Sequence, residues 1–410
     1  MTVEIAGLGA QGDGIARTDA GDVFVPGALP GETVEIERSE MKVQRSRIVV
    51  GSPDRQTAPC PHFGTCGGCV SQHMAASLYA AWKRDSVVKA FAHRGLEPPV
   101  APLVTIPAAT RRRIVLEARR AGEETLLGFH AHRSHTLVDI RSCDVMLPSL
   151  QAALPGLKRI AAQFLARDGK LRMTVTATST GLDIAVEGPR GNLPAGTRAT
   201  LAACAAAEHV ARMTLNGEII VMRDRPVLKL GPADVELLPG SFIQATAEAE
   251  AAMTSLVMAA AGKAKRIADL FCGLGTFTFP LARRARVFAV DAGAEAIAAL
   301  SAAAARTGGC KPIETRVRDL LREPLSRKEL ETFDAVVLDP PRAGAQAQSE
   351  ALAKSAVPVI VAVSCNPATL ARDARLLVDG GYAIEAVTPI DQFVWSAQVE
   401  AVAVLRRGRK

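Results

Sequence analysis

The first fifty residues alternate short apolar runs with Gly- and Pro-containing breaks. Residues 23–25, 33–36 and 46–50 are β-prone, and breaks fall at 12–14, 26–30 and 51–53. Several short strands in so little chain predict a small OB-like β-barrel. A helical stretch over 74–94 follows and stops at Gly95. Residues 103–235 then alternate β-prone runs with turns, at 113–117, 126–130, 137–140, 173–177, 183–187 and 218–221. They predict an antiparallel α+β unit, with a helix over 195–213 packed on it. From Pro239 the pattern changes again. Apolar strands at 266–271, 286–291, 313–316, 334–338 and 358–364 alternate with Ala-rich helical stretches, and a late hairpin covers 383–387 and 399–405. That alternation predicts an α/β doubly wound sheet. The boundaries expected are 1–52, 53–238 and 239–410.

Composition narrows the class. In 410 residues, 48% are hydrophobic and 22% charged, enough for real cores. No apolar run reaches the ~18 residues of a membrane span. The start of the chain lacks a basic, apolar leader, so a cytoplasmic protein with reduced thiols is expected. A monomer is expected. Aromatics are only 4%, which disfavours a protein built from stacking platforms. The net charge of +7 is uneven, with −3 over residues 1–55 and +5 over 263–410. Arg outnumbers Lys 37 to 12, which suits phosphate contact or reflects compositional bias. Four basic residues within 38–47 fit either an RNA contact or a solvated strand edge.

Asp269-Leu270-Phe271-Cys272-Gly273-Leu274-Gly275-Thr276 ends a strand and opens a helix. Its glycines permit a tight turn and close ligand approach. Asp291 ends the next strand, where a carboxylate can accept from ribose hydroxyls, and Asp319 follows the third strand, placed for an adenine edge. With no third glycine and no Gly-Lys-Ser/Thr, the site reads as one for S-adenosylmethionine (SAM) rather than NAD or ATP.

Asp339-Pro340-Pro341-Arg342 follows the fourth strand and is expected to face the transferable methyl group. Enzymes that methylate exocyclic amines carry an aromatic residue after Pro-Pro. Arg342 stands there, which disfavours that reaction. The fifth strand ends in Ser364-Cys365-Asn366-Pro367. A buried, inert thiol is the plain alternative, but a cysteine opening toward the crevice, before a helix N-terminus that favours the thiolate, reads as a nucleophile. A thiolate and SAM together suit methylation of uracil carbon 5. Addition at carbon 6 makes carbon 5 nucleophilic, and a base must later remove the carbon 5 proton. Glu400 is the candidate base.

Cys60, Cys66 and Cys69 form a Cys-x5-Cys-x2-Cys run, and Cys143 can supply a fourth thiolate. Four thiolates suit an iron–sulfur cluster or structural zinc. Gly67-Gly68 frees backbone N–H groups to approach cluster sulfurs and tilts the reading to iron–sulfur.

With these motifs, the chain resembles the RNA uracil-C5 methyltransferase family, of the iron–sulfur 23S rRNA (uracil-5-)-methyltransferase type. The resemblance spans nearly the whole chain. It includes Gly7-Leu8-Gly9 through Pro30-Gly31-Glu32, which is similar to a TRAM domain, the cysteine set, Phe242-Ile243-Gln244, the Asp269 and Asp339 motifs, and Ser364 through Asp373. It implies that Gln244, Phe271, Asp291, Asp319 and Asp339 line the SAM pocket with Gly273 and Thr276. It further implies Cys365 as nucleophile, Glu400 as base, and a 4Fe-4S cluster on the four cysteines. Ribosomal RNA is then the expected partner, with transfer RNA as the near alternative, a non-catalytic RNA-binding assembly factor as a different class, and a DNA enzyme as a weaker third. Three positions depart from the family pattern: Thr246 and Thr276 each stand where Asn is usual, and Gln398 stands where His precedes the base. Asp291 is also shorter than the usual Glu.

Overall fold

The structure, a computed structural model, describes residues 1–39, 42–165, 169–188, 193 and 196–408. Part of the basic stretch 38–47, including the side chains of Arg38 and Lys42, lies outside the described residues, as do 409–410 of the basic end.

The N-terminal strands form two three-stranded sheets. One joins Thr2–Glu4, Thr33–Ser39 and Lys42–Val50, and the other joins Gly7–Leu8, Gly14–Thr18 and Gly21–Val25. They close on Val3, Ile5, Ala16, Val23, Val25, Val34 and Ile36. Arg47 lies on the surface, paired with Glu35 at 2.7 Å. Glu32 is fully buried, and its carboxylate accepts from Leu29 N and from the Arg55 guanidinium. Burial alone would raise its pKa, but Arg55 and the backbone donors hold it below the ordinary value.

The middle sheet has seven strands, in the order Glu218–Met222, Val210–Leu215, Gly181–Glu187, Lys170–Thr178, Arg113–Ala121, Glu124–His130, Leu137–Asp139. Two expectations fail here. The helix expected over 195–213 is Thr197–Ala207, and Val210–Leu215 is a buried strand parallel to Gly181–Glu187. His209, at φ 51°, turns the chain out of the helix. A helix the pattern did not reveal covers Pro148–Phe164. Pro155 reads as a breaker, yet Leu150, Leu154, Leu157, Ala161 and Phe164 keep helical spacing into the core.

The C-terminal sheet also has seven strands, in the order Ile313–Val317, Arg286–Asp291, Arg266–Leu270, Ala335–Leu338, Val359–Ser364, Glu400–Arg407, Tyr382–Ile390. The first five are parallel, and Glu400–Arg407 pairs antiparallel with both Val359–Ser364 and Tyr382–Ile390. Both faces are buried, which explains the unbroken apolar runs in its central strands. Strand order reverses between Arg266–Leu270 and Ala335–Leu338, so the loops starting at Phe271 and Asp339 flank the crevice where such folds bind ligands.

Helix Ala76–Ala92 packs Val87 and Phe91 into one of these C-terminal cores. Its Lys83 is 1% exposed and bonds Asp391 Oδ1 at 2.8 Å, while Tyr79 donates to the same carboxylate. Lys83 also donates to the carbonyls of Phe393 and Gln398, fixing the loop that precedes Glu400. Burial lowers the lysine pKa, and Asp391 opposes that shift. Lys83→Ala is expected to destabilise the fold by about 3–5 kcal/mol, because it leaves Asp391 buried without its cation. Urea unfolding tests this, and a loss under ~1 kcal/mol would contradict it.

Candidate active site

All nine residues singled out for cofactor and catalysis line one cavity of about 640 Å³ at the crevice. Phe271, Gly273, Thr276, Asp291 and Asp319 follow the strands on one side of the reversal and make one wall, and Asp339, Cys365 and Glu400, with Gln244, come from the other side.

Local chemistry shapes the first wall. Phe271 takes φ 63°, rare for a non-glycine and a mark of backbone strain at this turn. Gly275 takes φ 100°, and a Cβ there would come within 2.7 Å of the Phe279 ring. Gly273 is the opposite case, since a Cβ would meet nothing and the missing side chain leaves open space. Asp291 Oδ2 accepts from Gly273 N at 3.0 Å and Oδ1 from Gly293 N at 2.8 Å, so the carboxylate braces the glycine turn and keeps lone pairs for a ligand. Asp319 accepts from Leu321 N at 3.0 Å and stays partly exposed.

The opposite wall is a buried chain of amides and carboxyls. Gln244 Nε2 donates to Asp339 Oδ2 at 3.0 Å. Gln392 Nε2 donates both to Gln244 Oε1 at 2.9 Å and to Glu400 Oε2 at 3.0 Å, while its Oε1 accepts from Ala245 N. Burial raises Asp339 to about 7, with the neighbouring Asp269 adding to it. Burial, with Asp339 nearby, raises Glu400 to about 8. Asp269 is also fully buried and raised to about 7, holding Thr278 Oγ1 at 2.5 Å. Several desolvated carboxyls around one cavity suit a cationic ligand, and a sulfonium carrying an α-amino group supplies that charge.

Asp339 gives a pH prediction. Between its ordinary 3.8 and about 7 the folded protein keeps a proton that the unfolded chain has lost, so stability falls as pH rises through that window. Asp339→Asn removes this contribution. The melting temperature of the ligand-free variant is expected to gain on the wild type from pH 5 to pH 7.5, and parallel curves would refute it.

Cys365 lies half-buried at the end of Val359–Ser364. Asn366 caps the following helix, accepting from Ala368 N, and its Nδ2 donates to Arg342 O, tying the Asp339–Arg342 loop to the cysteine turn. The expected drop in thiol pKa is not found. Burial and then the Glu400 and Asp339 carboxyls push Cys365 up, and Arg342 only partly opposes them. A cation placed between these carboxyls would oppose the shift.

Two of the departures from the family pattern, Thr246 and Gln398, have local explanations. Thr246 Oγ1 caps helix Ala247–Ala261 through Ala249 N. Gln398 Oε1 accepts from Arg342 Nη2 at 2.9 Å and so orients Arg342, while the side-chain donor to Glu400 is Gln392. Sequence reading missed Gln392. The usable signal was a polar pair, Asp391-Gln392, directly after a buried strand end that pairs with Glu400.

A second cavity, of about 370 Å³, is lined by Cys60, Cys66, Cys69 and Cys143. Burial pushes Cys69 up to about 12 and Cys143 to about 11, and the neighbouring thiols add to both shifts. Gly68 N donates to Cys66 Sγ at 3.4 Å. Among the described residues, no three His, Cys, Asp or Glu side chains are close enough to hold a single metal ion. Phe393, Val394, Ser396 and Gln398 line this cavity too, so one loop borders both sites. Cys204 and Cys310 are half-buried and Cys272 is buried, its thiol raised well above the ordinary value. No helix among the described residues is long and apolar enough to cross a membrane.

Comparison with known proteins adds relatives to this geometry. Residues 1–43 match the TRAM domain, and residues 314–408 match the family described as tRNA (Uracil-5-)-methyltransferase. An uncharacterized RNA methyltransferase of Brucella suis biovar 1 (strain 1330) is 46% identical, covering 100% of this chain and 98% of its own. The 23S rRNA (uracil(1939)-C(5))-methyltransferase RlmD of Pectobacterium atrosepticum is 31% identical, covering 98% and 93%. Among solved structures, the tRNA (uracil-54, C5)-methyltransferase of Pyrococcus abyssi, in complex with S-adenosyl-L-homocysteine, shares the fold at a TM-score of 0.76, 24% identity and 99% coverage of both chains.

Proposed function

The chain belongs to the SAM-dependent RNA uracil-C5 methyltransferase family, and from that membership we propose that it methylates carbon 5 of a uridine in 23S ribosomal RNA, with Cys365 as nucleophile and Glu400 as base. The observation that carries the chemistry is the meeting of Cys365, Asp339 and Glu400 in one cavity, with Glu400 held by Gln392.

SAM supplies an electrophilic methyl group at its sulfonium. Gly273 leaves room for it, Asp291 accepts from the ribose hydroxyls, Asp319 meets the adenine edge, and Phe271 and Thr276 complete that wall. Gln244 and Asp339 face the reacting centre. The Cys365 thiolate forms a bond to carbon 6, and the electron pair moves to carbon 5 and its carbonyl as an enolate. Carbon 5 takes the methyl group as its bond to the sulfonium sulfur breaks, and S-adenosylhomocysteine is left. Glu400, in its ionised form, then removes the carbon 5 proton, the carbon 6–sulfur bond breaks, and the thiolate leaves. An unstacked target uridine in a loop reaches the cavity at the least cost.

Ribosomal RNA is favoured by the full-length likeness to a 23S rRNA enzyme. Transfer RNA is the second reading, favoured by the family description over 314–408. Mapping 5-methyluridine in both RNAs from a strain lacking the protein tests this. Loss of one 23S site is expected, and loss confined to transfer RNA would overturn it.

The four-cysteine cavity supports a 4Fe-4S cluster held by Cys60, Cys66, Cys69 and Cys143, which would act structurally. A single zinc, ~2.3 Å from each thiolate, needs the sulfurs drawn close around one point. Anaerobically purified protein is expected to contain iron and acid-labile sulfide in about equal amounts. Stoichiometric zinc without sulfide would reject the cluster.

A further inference from the structure

Away from both of these cavities, a third, of about 650 Å³, lies between the N-terminal barrel and the loop after Glu124–His130. Its walls include Gln11, Asp13, Phe24, His132 and Arg133. Phe24 is the odd residue. In Gly21–Val25 its neighbours Val23 and Val25 point into the core at 4% and 0% exposure, while Phe24 points outward at 51%. One edge of its ring rests about 3.3 Å from where a Cβ on Gly9 would sit. In a chain with so few aromatics, an outward Phe on a barrel strand, packed only along one edge and half exposed, stands out.

The walls are held in place. Trp82 Nε1 donates to Gly9 O at 2.9 Å, anchoring the turn beneath Phe24. Arg133, at φ 52°, bonds the largely buried Asp13 carboxylate at 2.6 Å while more than half of its side chain stays exposed. The loop carrying His132 and Arg133 is bonded in turn to the cysteine loop, through Gly67 N to His130 O at 2.9 Å.

An exposed aromatic face, an imidazole, an amide and a pinned guanidinium are the groups that bind an unpaired nucleotide. The ring stacks the base, Gln11 and His132 reach its edge, and Arg133 meets the adjoining phosphate. Asp13 is already paired with Arg133, so it does not repel that phosphate. We infer that this cleft takes one unstacked nucleobase of the RNA substrate, at a point separate from the catalytic cavity. The inference rests on the family's action on RNA and adds a second point of capture.

The test uses the full chain and a short single-stranded oligouridylate labelled for fluorescence anisotropy. Phe24→Ala is expected to weaken binding about 5- to 150-fold, the range of one lost base stack, and Phe24→Tyr to bind nearly as wild type. Phe24→Leu keeps the apolar volume and is expected to resemble Ala. With 5-iodouridine in the oligonucleotide, ultraviolet crosslinking is expected to join the RNA to the peptide containing Phe24. On RNA that the wild type methylates, Phe24→Ala raises KM and leaves kcat unchanged. Wild-type affinity in a folded Phe24→Ala protein, or crosslinks confined to other peptides, would overturn the cleft. A wild-type protein that crosslinks at Phe24 but methylates no RNA would instead count against the proposed function and leave the cleft standing.

Discussion

Cys365→Ala is expected to abolish methyl transfer, by at least about four orders of magnitude in single turnover, while SAM affinity stays within a few-fold of wild type. The size follows from the substrate. Carbon 5 of uracil does not attack a methyl sulfonium unaided, so removing the thiolate removes the reacting species and not merely an orienting contact. The selectivity follows from the geometry. The glycine turn, Asp291 and Asp319 come from strands on the other side of the reversal from Cys365, and Asn366, not the thiol, ties the cysteine turn to the Arg342 loop. Radiolabelled methyl incorporation and calorimetric titration with SAM measure the two quantities. Robust turnover by the variant would refute the nucleophile.

Glu400→Gln is expected to trap the reaction after the methyl group has moved. Glutamine matches the carboxylate in shape and can still accept from Gln392 Nε2, so the wall survives. It cannot take the carbon 5 proton, and elimination of Cys365 is expected to slow by about 10²–10⁴-fold. A methylated protein–RNA adduct should then accumulate and survive denaturing electrophoresis. Its absence would remove Glu400 as the base. Buried as it is, with its pKa raised to about 8, Glu400 also costs stability wherever its proton is lost only from the unfolded chain, between its ordinary 4.5 and about 8. The glutamine variant is therefore expected to be at least as stable as wild type at neutral pH.

Much of this site was legible because it sits where local pattern is strongest. Arg286–Asp291 lies where its apolar run placed it, and the turns at Gly275 and Asn366 carry their conformational reasons in their own residues. What escaped depends on distance along the chain. Gln392 bonds Gln244 across 148 residues, and no spacing rule links them. Val210–Leu215 is a strand because its neighbours bury it from both sides, although it follows an Ala-rich helix. The direction of the Cys365 shift was misjudged for a related reason. The helix terminus is local, whereas the burial that outweighs it, with the Glu400 and Asp339 carboxyls added, comes from elsewhere in the chain.

The Lys83–Asp391 pair spans 308 residues. At ribosomal rates of roughly 5–20 residues per second, the helix bearing Lys83 emerges about 15 to 60 seconds before its partner is made. Through that interval the lysine is a hydrated cation on the same helix face as Tyr79, Val87 and Phe91, so it interrupts an apolar stripe that is not yet covered. The residue that later bonds Asp391 thus breaks, in the unfinished chain, the stripe that an apolar side chain at the same position would complete.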